Sequence, residues 1–135
     1  MFKAALILPA AAIISFAFAF TACGSQQCPA GPPIAADDRA ITGPEMPVAL
    51  PIVVNDDACG TAALDLQAID LDPSAPGMQL SITTDQGGYM LDNLGDVHFV
   101  PAAGFSGEAM TTYTIADSDG QVSAPARILV TVQAD

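Results

Sequence analysis

From residue 38 onward, apolar residues recur at alternate positions, and the chain reads as a series of short β-strands. Val48, Leu50, Ile52 and Val54 fall on one face, with Pro51 confining that strand to a sheet edge or a bulge. Leu80 and Ile82 alternate with Ser81 and Thr83, Tyr89 and Leu91 with Met90 and Asp92, and Val97 and Phe99 with Asp96 and His98. Tyr113 and Ile115 alternate with threonines, and Ile128, Val130 and Val132 close the pattern. Turn-forming runs separate these stretches: Asn55-Asp56-Asp57, Pro76-Gly77, Gln86-Gly87-Gly88, Asn93-Leu94-Gly95 and Asp117-Ser118-Asp119-Gly120. The spacing predicts an all-β, antiparallel β-sandwich of about seven strands over residues 34–135, with no sustained helical period and no internal repeat.

The first 22 residues break this pattern. A single positive charge, Lys3, precedes a run from Ala4 to Phe20 that is apolar except for Pro9 and Ser15. That length suits the apolar stretch of a secretory signal better than a membrane span, which wants roughly 20 apolar residues. Phe20-Thr21-Ala22-Cys23-Gly24 then resembles the lipobox of bacterial lipoproteins, with Phe20 where that pattern usually has Leu. The resemblance implies cleavage before Cys23, a diacylglycerol on its thiol and a further acyl chain on its amine. It also implies a stable anchor without a spanning helix, since each buried methylene contributes about 0.8 kcal/mol. An ordinary signal cleaved after Ala17-Phe18-Ala19, with Cys23 left as a thiol, and an uncleaved anchor helix are the rival readings. Gly24, rather than Asp, after the cysteine favours the outer membrane where two membranes exist. With Cys23 assigned to lipid, Cys28 and Cys59 remain, either as a disulfide in an oxidising compartment or as two free thiols.

Residues 23–33 form a short Pro/Gly/Ser/Gln-rich tether with no core-forming pattern. Charge then narrows the partners. Fifteen acidic residues face three basic ones, a net of −12; without Lys3, Arg39 and Arg127 face all fifteen, 2 − 15 = −13. Nucleic acid is excluded as a partner, because phosphate binding needs several Lys or Arg contacts, and anionic lipid surfaces are disfavoured.

The order of short motifs carries a second resemblance. Residues 34–133 resemble one repeat of the cadherin-like, immunoglobulin-like modules strung together in large bacterial surface proteins, including CshA-type fibrillar adhesins. The motifs are Ile34-Ala35-Ala36-Asp37-Asp38, Val53-Val54-Asn55-Asp56, Leu71-Asp72-Pro73-Ser74-Ala75-Pro76-Gly77 and Gly95-Asp96-Val97-His98-Phe99-Val100-Pro101. Gly104-Phe105-Ser106-Gly107, Thr112-Tyr113-Thr114-Ile115, Asp117-Ser118-Asp119-Gly120 and Ile128-Leu129-Val130-Thr131-Val132 follow in the same order. Asp57-Ala58-Cys59-Gly60 replaces the family's fuller acidic loop, and there is one copy where such modules usually come in arrays.

Little in the sequence points to catalysis. His98 lies out of phase with Val97 and Phe99 and is expected to face solvent; no nucleophile elbow and no paired His/Cys metal spacing accompanies it. Phe105, between Gly104 and Gly107, is expected to plug one end of the core, and Tyr113 to be a core tyrosine with a satisfied hydroxyl. The chain reads as a non-enzyme without a cofactor, calcium being the one candidate ion. In an immunoglobulin-like sandwich the start of the first strand, the B–C loop and the F–G loop share a pole. That places Asp37, Asp38, Asn55, Asp56, Asp57, Asp117 and Asp119 together, either as a calcium site or as a solvated acidic face. Two functions follow. One is a lipid-anchored envelope lipoprotein serving as an adhesive, spacer or protein-docking module for an unidentified envelope or surface protein. The other is an envelope accessory subunit that binds calcium or a soluble ligand at the acidic pole. The oligomeric state is left open.

Overall fold

The computed structural model describes residues 28–135; the signal segment and Cys23 lie outside the described residues. Eight strands follow one another: β1 (Asp38–Thr42), β2 (Val48–Leu50), β3 (Leu64–Asp70), β4 (Ser81–Thr84), β5 (Gly87–Leu91), β6 (Val97–Pro101), β7 (Gly107–Asp117) and β8 (Ala126–Val132). They form two four-stranded sheets, ordered β1-β8-β7-β3 and β2-β6-β5-β4. All pairs are antiparallel except β1 with β8, which run parallel.

The core lies between the sheets, where the inward phase of each strand is apolar. Ile128, Val130 and Val132 of β8, Tyr113 and Ile115 of β7, and Val97 and Phe99 of β6 are essentially fully buried. Removing this surface from water is the main stabilising term, about 1.5–3 kcal/mol for each large side chain. The Tyr89 and Phe99 rings meet in a tilted pair with centroids 4.6 Å apart, and Phe105 packs partly buried against the cluster. Gly87 is required in β5: a Cβ there would stand 2.4 Å from the Val100 carbonyl oxygen, with the backbone at φ 154°.

Several elements differ from the sequence reading, each for a local reason. The strand expected over Val48–Val54 ends at Leu50, because Pro51 cannot donate to the ladder. The chain turns at once: Ile52 drops into the core and Val54 is 78% exposed. The strand is nevertheless at a sheet edge, as Pro51 requires. Leu80 lies outside β4 and is half exposed. The alternation says little about β3, since the pairing with β7 shifts register between Asp65 and Ile69 and the bulge breaks the period. Within the domain expected from Ile34, the first strand begins at Asp38, and Ile34 makes only an isolated bridge to Asp57.

Candidate functional site

The inward phase of β7 aims Tyr113 at the junction of the chain before β1 and the turn after β2. Its hydroxyl lies 2.9 and 3.0 Å from the two carboxylate oxygens of Asp56, 3.1 Å from the Ala36 carbonyl and 3.3 Å from the Ile52 carbonyl. One O–H proton thus faces four acceptor oxygens, and the phenol oxygen itself fills the centre of that oxygen cluster. Asp56 also accepts the Ala36 N–H at 2.8 Å. Burial raises the Asp56 pKa against these two donors. The Tyr113 hydroxyl is pushed far above its ordinary range, by burial first and then by the Asp56 charge.

Asp38, on the inward phase of β1, completes the group. It is 9% exposed, and its Oδ2 is buried without a hydrogen-bond partner among the described residues. Burial raises its pKa to about 6; the Asp56 and Asp37 charges add to the rise, and the Tyr113 hydroxyl and Asn55 amide oppose it. Asp38 is therefore the carboxylate for which the fold supplies too few protons.

The other expected ligands belong to separate networks. Asp37 faces outward and accepts from Arg127 at its backbone N (2.9 Å), Nε (3.0 Å) and Nη2 (2.6 Å), which lowers the Asp37 pKa. Asn55 donates to the Asp37 carbonyl at 3.3 Å. Asp57 accepts the Cys59 N–H at 2.9 Å. Asp117, at the end of β7, accepts the Asp119 and Gln121 N–H groups at 2.9 and 2.8 Å and the Gln121 side-chain amide at 3.4 Å. Asp119 contributes its backbone to that turn and is itself exposed. The Ser118 N–H reaches the Ala63 carbonyl at 2.8 Å, which ties the β7–β8 turn to the connection before β3, and the acidic oxygens are shared among several separate hydrogen-bonded groups. Among the described residues, one set of three potential ligand atoms lies within 4.8 Å: Cys28, Asp57 and Cys59. Its two sulfurs are bonded to each other.

The Cys28–Cys59 disulfide, with Cα atoms 4.8 Å apart, clasps the start of the described chain to the β2–β3 connection. The Gly60 N–H bonds the Cys28 carbonyl at 3.1 Å, and Ile34 and Asp57 exchange backbone hydrogen bonds at 2.8 and 2.9 Å. Residues 28–33, the second half of the expected tether, are therefore strapped to the sandwich, with Pro33 buried. The strap delivers Ala36 to Tyr113.

At the other turn of the second sheet, His98 faces outward as its phase requires and lies 2.9 Å from Asp92 through Nε2. The His98 contact lowers the Asp92 pKa. Sequence reasoning missed this pair, although the spacing across a two-strand turn was the available signal. Tyr89 is the other core phenol; its hydroxyl has no partner among the described residues, and burial pushes its pKa up to about 12.

Residues 30–131 match a family model described as a bacterial Ig domain. No curated protein matches the chain.

Proposed function

The chain belongs to the bacterial Ig domain family, and from that premise we propose a lipid-anchored envelope module that docks a partner protein through the outer face of β2-β6-β5-β4. Modules of this family are of the non-catalytic, surface or adhesion type. The observation that carries the docking reading is the chemistry of that face. Its cross-strand rows are Ser81, Met90, His98 and Ala49, then Thr83, Gly88 and Val100. Met90 and Val100 are 58% and 47% exposed, and the missing side chain at Gly88 leaves a depression of about 280 Å³ between strands. The one ionisable side chain in these rows, His98, is held by Asp92. On a domain with fifteen acids and two arginines, such a face is the exception. Asp85, Asp92 and Asp96 stand at the turns around it. It fits a partner with an apolar anchor residue rimmed by lysine or arginine, because buried apolar contact supplies affinity and the charged rim steers approach.

Acylation of Cys23, five residues before the disulfide clasp, would hold the module close to the membrane. Both parts are tested in cells producing the full chain. A photo-cross-linking residue at position 90 or 100 is expected to yield a discrete protein adduct that a cross-linker at Thr61 does not. Cys23→Ser is expected to release the domain from washed membranes. The absence of adducts at 90 and 100 would sink the docking reading; a membrane-retained, processed Cys23→Ser protein would sink the anchor.

A further inference from the structure

The outer face of the other sheet is built differently. On β1, β8 and β7 the outward residues form three cross-strand rows. Arg39, Leu129 and Met110 make one, and Ile41, Thr131 and Glu108 the next; Asp37, Arg127 and Thr112 lie beyond. Ile41 is 64% exposed and Met110 52%. Asp37 neutralises Arg127. Arg39 and Glu108, both exposed, make no ion pair or side-chain hydrogen bond among the described residues. A cation left unpaired amid so many carboxylates has a structural cause: Asp37 is committed to Arg127, and Asp38 turns inward. Arg39 and Glu108 thus stand two strands and one row apart, at opposite corners of an apolar centre, and line one small cavity of about 160 Å³ with Met110 and Leu129. Arg39 and Arg127 stand against Asp37 and Glu108 on this face, while Asp38, which also lines the cavity, turns inward toward Tyr113. Gln86 bonds both the Glu108 carbonyl and the Met110 N–H, closing the adjacent edge of β7 to strand addition.

We propose that this face pairs with a second copy of the chain, face to face about a two-fold axis. Arg39 of each copy meets Glu108 of the other, and Leu129, Met110 and Ile41 are buried between. The argument is charge complementarity. A twofold axis lying in the contact plane, perpendicular to the line joining the two corners and through its midpoint, exchanges them. On a domain with fifteen acids and two arginines, a face that carries both signs at opposite corners is suited to a second copy of itself. Three strands at about 4.8 Å spacing and three outward positions at roughly 6.8 Å give a small patch, so the contact is weak in solution. Copies confined to one membrane raise their own effective concentration. The pairing uses the sheet opposite the docking face and stands without that reading.

Sedimentation of the full chain in detergent at about 0.15 M salt tests it. A reversible monomer–dimer equilibrium is expected. Arg39→Glu and Glu108→Arg should each weaken it by about tenfold or more, because each sets like charges in contact twice. The double swap, Arg39→Glu with Glu108→Arg, should restore it to within about threefold. Both positions are exposed, and unchanged melting temperatures show that the variants are folded. A wild-type chain that stays monomeric up to about 0.5 mM, single swaps without effect, or a double swap that fails to restore the dimer would each overturn the proposal.

Discussion

Two aspartates of this sandwich are buried to similar depth and live in opposite circumstances. Asp117 is 2% exposed and Asp38 9%. Asp117 receives three N–H donors from the next four residues. Asp38 keeps an Oδ2 with no partner among the described residues, beside the carboxylate of Asp56. The deeper group is the better satisfied one. Burial does not set the cost of a carboxylate; the number of donors that arrive with it does. Asp117 closes a local turn and stiffens the end of β7. Asp38 and Asp56 depend on a hydroxyl from a strand far along the chain, and that dependence leaves their end of the domain sensitive to protons.

The largest expected effect is therefore a pH dependence. The folded pKa of Asp38 is about 6 against 3.8 for the free group, so the native state binds the proton more tightly than the unfolded chain. The associated stability is fully present below pH 3.8 and is lost as pH rises through about 6. At about 1.4 kcal/mol per unit, the ceiling is about 3 kcal/mol. Urea unfolding between pH 4 and pH 7 should show the fall. Asp38→Asn, which needs no proton, should flatten that part of the slope and leave the remaining charge repulsion unchanged. A melting temperature that rises with calcium at pH 7 and matched ionic strength, and loses that rise in Asp38→Asn, would instead make the pair a cation site.

Asp117→Ala should destabilise the domain by about 2–3 kcal/mol at pH 7, since it removes the buried carboxylate whose charge-assisted bonds from the Asp119 and Gln121 N–H groups hold an otherwise exposed turn. An effect under 0.5 kcal/mol, within the ordinary range for an unremarkable surface site, would remove the contrast with Asp38. Tyr113→Phe is the mildest of the three. It deletes the single donor that Asp56 draws from the core, for a cost of about 1–2 kcal/mol, and leaves the apolar ring in place. It should also enlarge the acid stabilisation, because Asp56 and Asp38 both lose an opposing donor; the same pH series on this variant checks that.

The legible parts of the molecule were the local ones. Alternation marked β5, β6, β7 and β8, and a side-chain period of two needs no partner to be seen. The Asp117 turn was equally visible, because its donors lie within four residues. The disulfide was open to cysteine arithmetic once Cys23 was set aside, although counting alone left two free thiols standing. Less was visible wherever the period was broken. The register shift between Asp65 and Ile69 hid β3, and Pro51 ended β2 two residues before Ile52 reached the core.

By its pattern and its turn residues, the chain determined an all-β sandwich, its edge strand at Pro51, its outward His98 and the acidic character of its turns. Only the tertiary structure decided how those acids are divided among separate networks. The parallel pairing of β1 with β8 turns Asp38 inward and leaves Arg39 without a partner. The strap from Cys28 carries Ala36 to a hydroxyl 77 residues away, and the same hydroxyl takes Asp56 from 57 residues away. The physical reason is one of range. Phase and turn chemistry are written in neighbours, whereas the protonation of a buried carboxylate is written in whichever donors the fold brings beside it.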